Sequence, residues 1–249
     1  MERVNILGSK INVININELL IQLNKLIASK KSHYICVTNV HTVTTGISNK
    51  SFRDITNNSS LSIPDGMPLV WIAKNRGYRN IEKCSGPDIM LEIFRISEQK
   101  GYSNYFYGST EDTLNKMKKN LLNKFPKLNI IGMDSPPYRE LSKEEDEEVI
   151  SKINALKPNI IWIGLGAPKQ EIWMQNHVNK INSSVIFGVG AAFDFHAGTL
   201  KRAPLWMQNH GLEWLYRFIK EPRRLWKRYL LINLKFIVCL IFFRKKLEC

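Results

Sequence analysis

The stretch Asn159-Ile-Ile-Trp-Ile-Gly-Leu-Gly166 constrains the fold more than any other. It is a continuous apolar run ending in glycine, and Pro168 just beyond it opens a helix in the favoured first position. A strand apolar on both faces needs cover on both faces, which places it inside a mostly parallel sheet. The same alternation recurs along the chain. Tyr34 to Val40, Tyr102 to Gly108, Leu128 to Met133 and Ser184 to Gly190 read as further strands. Asn17 to Lys30 and Thr110 to Phe125 read as helices between them. Ser142-Lys-Glu-Glu145 is a capping box that opens another helix, running to about Leu156. The predicted class is therefore α/β, a Rossmann-like, mostly parallel sheet with helices on both faces. At 249 residues, 44% apolar and 23% charged, the chain can build such a core, and a disordered or collagen-like chain is excluded.

After Gly198 the character changes. The chain carries a net charge of +14, and between Lys201 and Cys249 twelve basic residues face three acidic ones, a local +9. Arg217, Lys220, Arg224, Lys227 and Lys235 recur at near-helical spacing, with Trp214, Phe218, Leu225 and Tyr229 between them. Leu230 to Phe243 is an apolar run broken by Asn233 and Lys235, shorter than the roughly 20 residues of a bilayer span. Such a segment suits a helix lying in an anionic membrane interface. A core helix with a basic exposed face and a short tilted span are the competing readings. The expected division is an α/β core over 1–198 and a basic C-terminal helical appendage over 199–249.

In an open α/β sheet, ligands bind beyond the carboxyl ends of the strands. Gly164-Leu-Gly166-Ala-Pro-Lys169-Gln170-Glu171 follows a strand and opens a helix there. Its glycines admit close backbone approach, and its helix start and Lys169 favour an anion such as a sugar diphosphate. A plain strand-to-helix turn would look the same, and the motif is neither a P-loop nor a dinucleotide fingerprint. Pro64-Asp65-Gly66-Met-Pro68 offers a fixed carboxylate able to take a proton from a hydroxyl, or an ordinary Asp-Gly turn. Thr38 and Asn39 offer hydrogen bonds to a sugar or uracil, or a cap for the next helix. Asp194 is either a ribose ligand or a helix cap. Lys201-Arg202 and the arginines beyond it are either diphosphate partners or a solvated basic face.

The four cysteines form no CxxC pair, and the five histidines show no HxxxH or HxxH spacing, so no metal site is expected. No secretory leader is apparent, which points to the cytoplasm. Nucleic-acid binding, the other polyanion reading of the basic tail, would want aromatics on an exposed basic surface; here they lie in apolar runs.

Taken together, Thr38-Asn39-x-His41, Pro64-Asp65-Gly66, Gly86-Pro-Asp88, Gly164-x-Gly-Ala-Pro-Lys-Gln-Glu171, Gly190-x-x-Phe-Asp194, Gly198-x-x-Lys-Arg-Ala-Pro204 and Gly211-Leu-Glu-Trp-Leu-Tyr-Arg217 resemble, in order and spacing, the WecG/TagA/CpsF glycosyltransferases. The resemblance covers about residues 5 to 230. It implies an inverting, metal-independent transfer, without a cofactor, from a UDP-sugar to an undecaprenyl-diphosphate-linked sugar. The donor sugar is N-acetylmannosamine, or, in the alternative, glucose or N-acetylmannosaminuronate. The product would feed teichoic acid or other surface polysaccharide synthesis. It casts Asp65 as general base with Thr38 beside it. Asn39, Gly166, Lys169, Gln170, Asp194, Arg202, Arg217, Arg224 and Lys227 fall in the substrate-binding set. It further implies a peripheral protein on the inner face of the cell membrane, held by the appendage, and it allows a homo-oligomer. A membrane-bound scaffold without catalysis is the non-enzyme alternative. Before Gly86 this chain has Lys83-Cys84-Ser85, where members more often carry Arg and an aliphatic residue.

Overall fold

The computed structural model describes residues 1–182, 184–243 and 247; the side chains of residues 224 and 227–230 fall outside that description. The chain opens with β1 (Arg3–Ile6) and β2 (Ser9–Asn12), paired antiparallel with Ile6 opposite Ser9. Leu7 (φ 53°) and Gly8 (φ 88°) make the turn. Positive φ at both central residues is what a tight hairpin with right-twisted strands requires. There follow α1 (Ile16–Ala28), β3 (His33–Thr38), α2 (Val40–Ser48), α3 (Lys50–Asn57), β4 (Leu61–Pro64), α4 (Met67–Asn75) and α5 (Gly86–Lys100). Next come β5 (Ser103–Gly108), α6 (Glu111–Lys124), β6 (Asn129–Asp134), α7 (Lys143–Leu156), β7 (Ile160–Gly164), α8 (Lys169–His177) and β8 (Val185–Gly188). Helices α9 (Ala192–Ala197), α10 (Leu205–Asn209), α11 (Glu213–Lys220) and α12 (Pro222–Val238) end the chain, with a π-helical turn over Cys239–Phe243.

Strands β3 to β8 form a six-stranded sheet in the order β4-β3-β8-β7-β5-β6. The pairings β3 with β8, β8 with β7, β7 with β5 and β5 with β6 are all parallel. This is the α/β class that the alternating pattern predicted, a parallel sheet flanked by helices. By contacts the chain divides into two compact units: 1–15, 37–85 and 201–249 in the first, 16–36 and 86–200 in the second. The segment 201–249 thus groups with the hairpin and with α2 to α4.

The second unit is centred on Trp162, fully buried in β7. Its ring stacks on Phe187 at 4.9 Å and meets the edge of Phe94 at 5.4 Å. The buried indole N–H is satisfied by Asn104 Oδ1 at 3.0 Å, since an unpaired donor at such depth would cost about 1–3 kcal/mol. The ends of β5 and β7 approach closely. A Cβ on Gly108 would lie 2.7 Å from the carbonyl carbon of Gly164, so neither strand end tolerates a side chain there.

The first unit has its own core. Val4, Ile6, Leu7 and Ile11 of the hairpin meet Val43 of α2, Leu69 and Val70 of α4, and Phe236 and Cys239 of the C-terminal helix. That helix is therefore docked by one stripe, Phe236 and Cys239 with Leu240. Lys235 also donates to Ser48 Oγ at the end of α2. Leu231, Leu234, Ile237, Ile241 and Phe242 remain exposed. Among the described residues, no helix is long and apolar enough to cross a membrane.

Several local expectations shift. Strand β3 stops at Thr38 rather than Val40, because the Asn39 side chain accepts from Thr42 N–H and starts α2. The capping box at Ser142 is present, with Ser142 Oγ accepting from Glu145 N–H and the Glu145 carboxylate accepting from Ser142 N–H. Pro168 is the N-cap of α8 instead of its first residue: the chain turns through Gly166 (φ 76°) and a cis Ala167–Pro168 bond, and Pro168 C=O accepts the first helical bond from Ile172.

Candidate active site

In the first unit the site is built where β3 and β4 end. Thr38 is buried, and its hydroxyl pairs with Ser62 Oγ at 2.7 Å. Its carbonyl accepts from Asp65 N–H at 2.7 Å. Thr38 therefore holds the backbone of Asp65, while its side chain is occupied by β4. On the other side of Asp65, Pro64 C=O accepts from Cys84 N–H at 2.8 Å. Gly66 then turns the chain into α4 at φ 113°, a conformation glycine adopts without steric cost. The Asp-Gly turn and the fixed carboxylate, rival readings of the sequence, are the same object here.

The same holds for Asn39. Its Oδ1 caps α2 through Thr42 N–H at 3.1 Å, and its Nδ2 donates to Asp65 Oδ2 at 3.4 Å. The amide supplies an acceptor for the cap at one end and a donor for the carboxylate at the other.

Asp65 is the most perturbed group of this cluster. Its carboxyl is pushed up to about 6, first by burial and second by the neighbouring Glu213; the Asn39 amide, Lys83 and Arg217 pull the other way. A carboxyl poised near neutrality beside a reacting hydroxyl has the properties of a general base. Glu213, on the first turn of α11, lies 3.7 Å from Lys83 Nζ and 3.6 Å from Arg202 Nε. Arg202 is held further by Gln208 Oε1 at 2.5 Å and Ser85 Oγ at 3.4 Å. Four residues beyond Glu213 on the same helix, Arg217 contributes its positive field to Asp65. The first unit thus brings Thr38, Asn39, Asp65, Arg202 and Arg217 into one neighbourhood. Lys83, Ser62, Gln208 and Glu213 join it, although none was singled out from the sequence as a site residue. Glu213 stood inside the Gly211–Arg217 motif, but nothing in a sequence ties it to Lys83, 130 positions earlier. The side chains of Arg224 and Lys227 lie outside the described residues.

The second unit carries Gly166, Lys169, Gln170 and Asp194. Gly166 has φ 76° and open space where a Cβ would stand. Lys169 is exposed and places Nζ 5.2 Å from the ring centre of Tyr138. Gln170 is buried and joined to the buried Glu171. Asp194 sits in the first turn of α9 and does not cap it; the N-cap is Ala191. The Asp194 carbonyl accepts from Thr199 N–H at 3.0 Å, closing that short helix. Among the described residues no three His, Cys, Asp or Glu side chains are grouped as metal ligands would be.

Relatives match along most of the chain. An N-acetylglucosaminyldiphosphoundecaprenol N-acetyl-beta-D-mannosaminyltransferase of Bacillus subtilis (strain 168) is 28% identical over 186 residues, covering 75% of this chain and 70% of its own. The enzyme of the same name from Staphylococcus aureus (strain MW2) is 26% identical over 228 residues, covering 91% of this chain and 86% of its own. The family model for WecG/TagA/CpsF glycosyl transferases spans residues 4–248, and the chain belongs to that glycosyltransferase family.

Proposed function

We propose that the chain transfers N-acetylmannosamine from UDP to N-acetylglucosaminyl-diphosphoundecaprenol, the reaction named for its relatives in Bacillus subtilis and Staphylococcus aureus. The observation that carries this reading is Asp65, a carboxyl raised to about 6, hydrogen-bonded by Asn39 and within the field of Lys83 and Arg217. Asp65 removes the proton from the acceptor hydroxyl as its oxygen attacks the anomeric carbon. The bond to UDP breaks on the opposite face, and the configuration inverts. Arg217 and Arg202 are the cations assigned to the developing diphosphate charge, in place of a metal. Arginine suits this role because its planar fork grips phosphate oxygens in pairs. The resemblance adds Arg224 and Lys227 to that set.

The acceptor is confined to a bilayer, so the enzyme must work at its surface. The exposed apolar side chains of the C-terminal helix, Leu231, Leu234, Ile237, Ile241 and Phe242, support a peripheral attachment through 199–249 at the inner membrane face.

The test is UDP release by the full chain, with a panel of UDP-sugars, a short-chain lipid-diphosphate-N-acetylglucosamine acceptor, and EDTA present or absent. Release with UDP-N-acetylmannosamine that survives EDTA is expected. Release with UDP-glucose or UDP-N-acetylmannosaminuronate instead would replace the donor. Loss in EDTA would overturn the metal-free mechanism. Asp65→Ala is expected to abolish turnover and leave UDP-sugar binding in place; near-normal turnover would remove Asp65 as the base.

A further inference from the structure

Gln170 and Glu171 open α8 side by side, and both are buried, with 4% and 0% of their surface exposed. An amide and a carboxyl at that depth ordinarily have every polar atom paired. Here the pairing is incomplete in a directed way. Gln170 Nε2 donates to Glu171 Oε1 at 2.9 Å. Among the described residues, Gln170 Oε1 has no hydrogen-bond partner, and neither does Glu171 Oε2.

The chemistry of the pair fixes which end of the amide faces which way. An ionised carboxylate only accepts, so it selects the NH2 end of Gln170 and turns the carbonyl away. Burial pushes the Glu171 carboxyl up, toward its neutral form. A proton on Oε2 still leaves Oε1 as the acceptor, so the orientation survives either state.

The backbone beside the amide is stripped of side chains. A Cβ on Gly188, at the end of β8, would lie 3.1 Å from Gln170 Nε2 and 3.2 Å from its Cδ. A Cβ on Gly190 would lie 3.3 Å from Gln170 Oε1. Gly190 has φ 52° and Gly166 φ 76°, so both turns around the amide use a conformation that glycine adopts freely. The strand end is thus shaped to admit this one side chain and to leave its carbonyl oxygen unoccupied.

We propose that Glu171 is a positioning residue: it locks the Gln170 amide so that Oε1 is presented as an acceptor to a hydroxyl or amide N–H of the bound sugar nucleotide. Glu171 itself touches no substrate. The inference rests on the sugar-nucleotide reading above for the identity of the ligand, but not for the orientation of the amide. A site that offers a buried acceptor discriminates strongly, because a ligand without the matching donor leaves it unpaired.

The test is a mutant cycle on the full chain, using the UDP-sugar that gives turnover. Glu171→Met removes the acceptor at similar volume and is expected to lower kcat/KM about 10- to 100-fold, chiefly by raising KM for the sugar nucleotide. Glu171→Gln, which keeps one carbonyl, is expected to fall between Met and the natural residue. Gln170→Ala is expected to match Glu171→Met, and the double variant to be no worse than Gln170→Ala within about twofold. Independent, multiplying losses would make Glu171 a purely structural residue and overturn the proposal, as would full activity of Glu171→Met. The second readout needs no substrate: hydrogen exchange of the Gln170 side-chain amide by NMR, its signals identified by their loss in Gln170→Ala. Exchange at least about tenfold faster in Glu171→Met is expected, from loss of the amide's bond; an unchanged rate overturns the locking. A natural chain silent with every UDP-sugar would defeat the transferase reading, and the exchange measurement would still decide the role of Glu171.

Discussion

Asp65→Asn should make the protein more stable and inactive, and the gain should depend on pH. Asp65 ionises at 3.8 in an ordinary setting and at about 6 in the folded chain. Its folded value is raised, so the folded state binds the proton more tightly than the unfolded state does. Stability therefore falls as pH rises through the interval from about 4 to 6, and the full cost is present above it. A gap of about two units at 1.36 kcal/mol per unit gives about 3 kcal/mol at pH 8. Below pH 4 the carboxyl is protonated in both states and the cost vanishes. Asparagine keeps the shape and cannot ionise. The variant should gain about 2–3 kcal/mol at pH 8, or about 5–10 °C in melting temperature for a chain of this size, and almost nothing at pH 4. Melting curves of both proteins at the two pH values, followed by circular dichroism, read this directly. An equal difference at both pH values, or a natural protein more stable than the variant at pH 8, would refute the claim that burial and Glu213 hold this carboxyl out of its usual range. UDP release by the variant should be lost at every pH.

Two further expectations concern neighbours of that carboxyl and the docked helix. Glu213→Gln removes a like charge beside Asp65 and releases Lys83 and Arg202 from their ion pairs, so every change pulls the carboxyl down. The acid limb of the kcat/KM profile should move about half a unit or more to lower pH, with a weaker base lowering the plateau a few-fold; a limb that stays or rises contradicts it. Phe236→Ala should cost about 3–5 kcal/mol in denaturant unfolding, since that ring is buried against α2 and the hairpin; a loss below about 1 kcal/mol would mean the C-terminal helix is not docked.

The elements legible in the sequence were those whose cause is local. Strand β7 is an unbroken apolar run, and α7 begins at a capping box four residues long. The hairpin β1–β2 was not legible, because strands of four residues are too short to show a period. The boundary between β3 and α2 was misplaced at Val40, because β-branched Val37, Thr38 and Val40 continue the strand pattern; the cap for the next helix, one of two readings of Asn39, is what starts α2. Asp65, Asn39 and Gln170 were visible as polar residues just past apolar strands. The ion pairs that set the field at Asp65 were not, because Glu213, Lys83 and Arg202 meet only after the chain has folded.

Position 39 carries two contracts that cannot be renegotiated separately. As a helix cap it would accept Asp, Ser or Thr at almost no loss, and any search for stable variants will find those residues there. None of the three reproduces the pairing with Asp65. Aspartate would set a second carboxylate against the first, and the hydroxyl residues are shorter than the amide arm that reaches Asp65 Oδ2. A lineage drifting under selection for foldedness alone can thus cross from Asn to Ser at little loss and arrive at a well-formed protein whose base has lost its holder. Only selection on turnover keeps that passage closed.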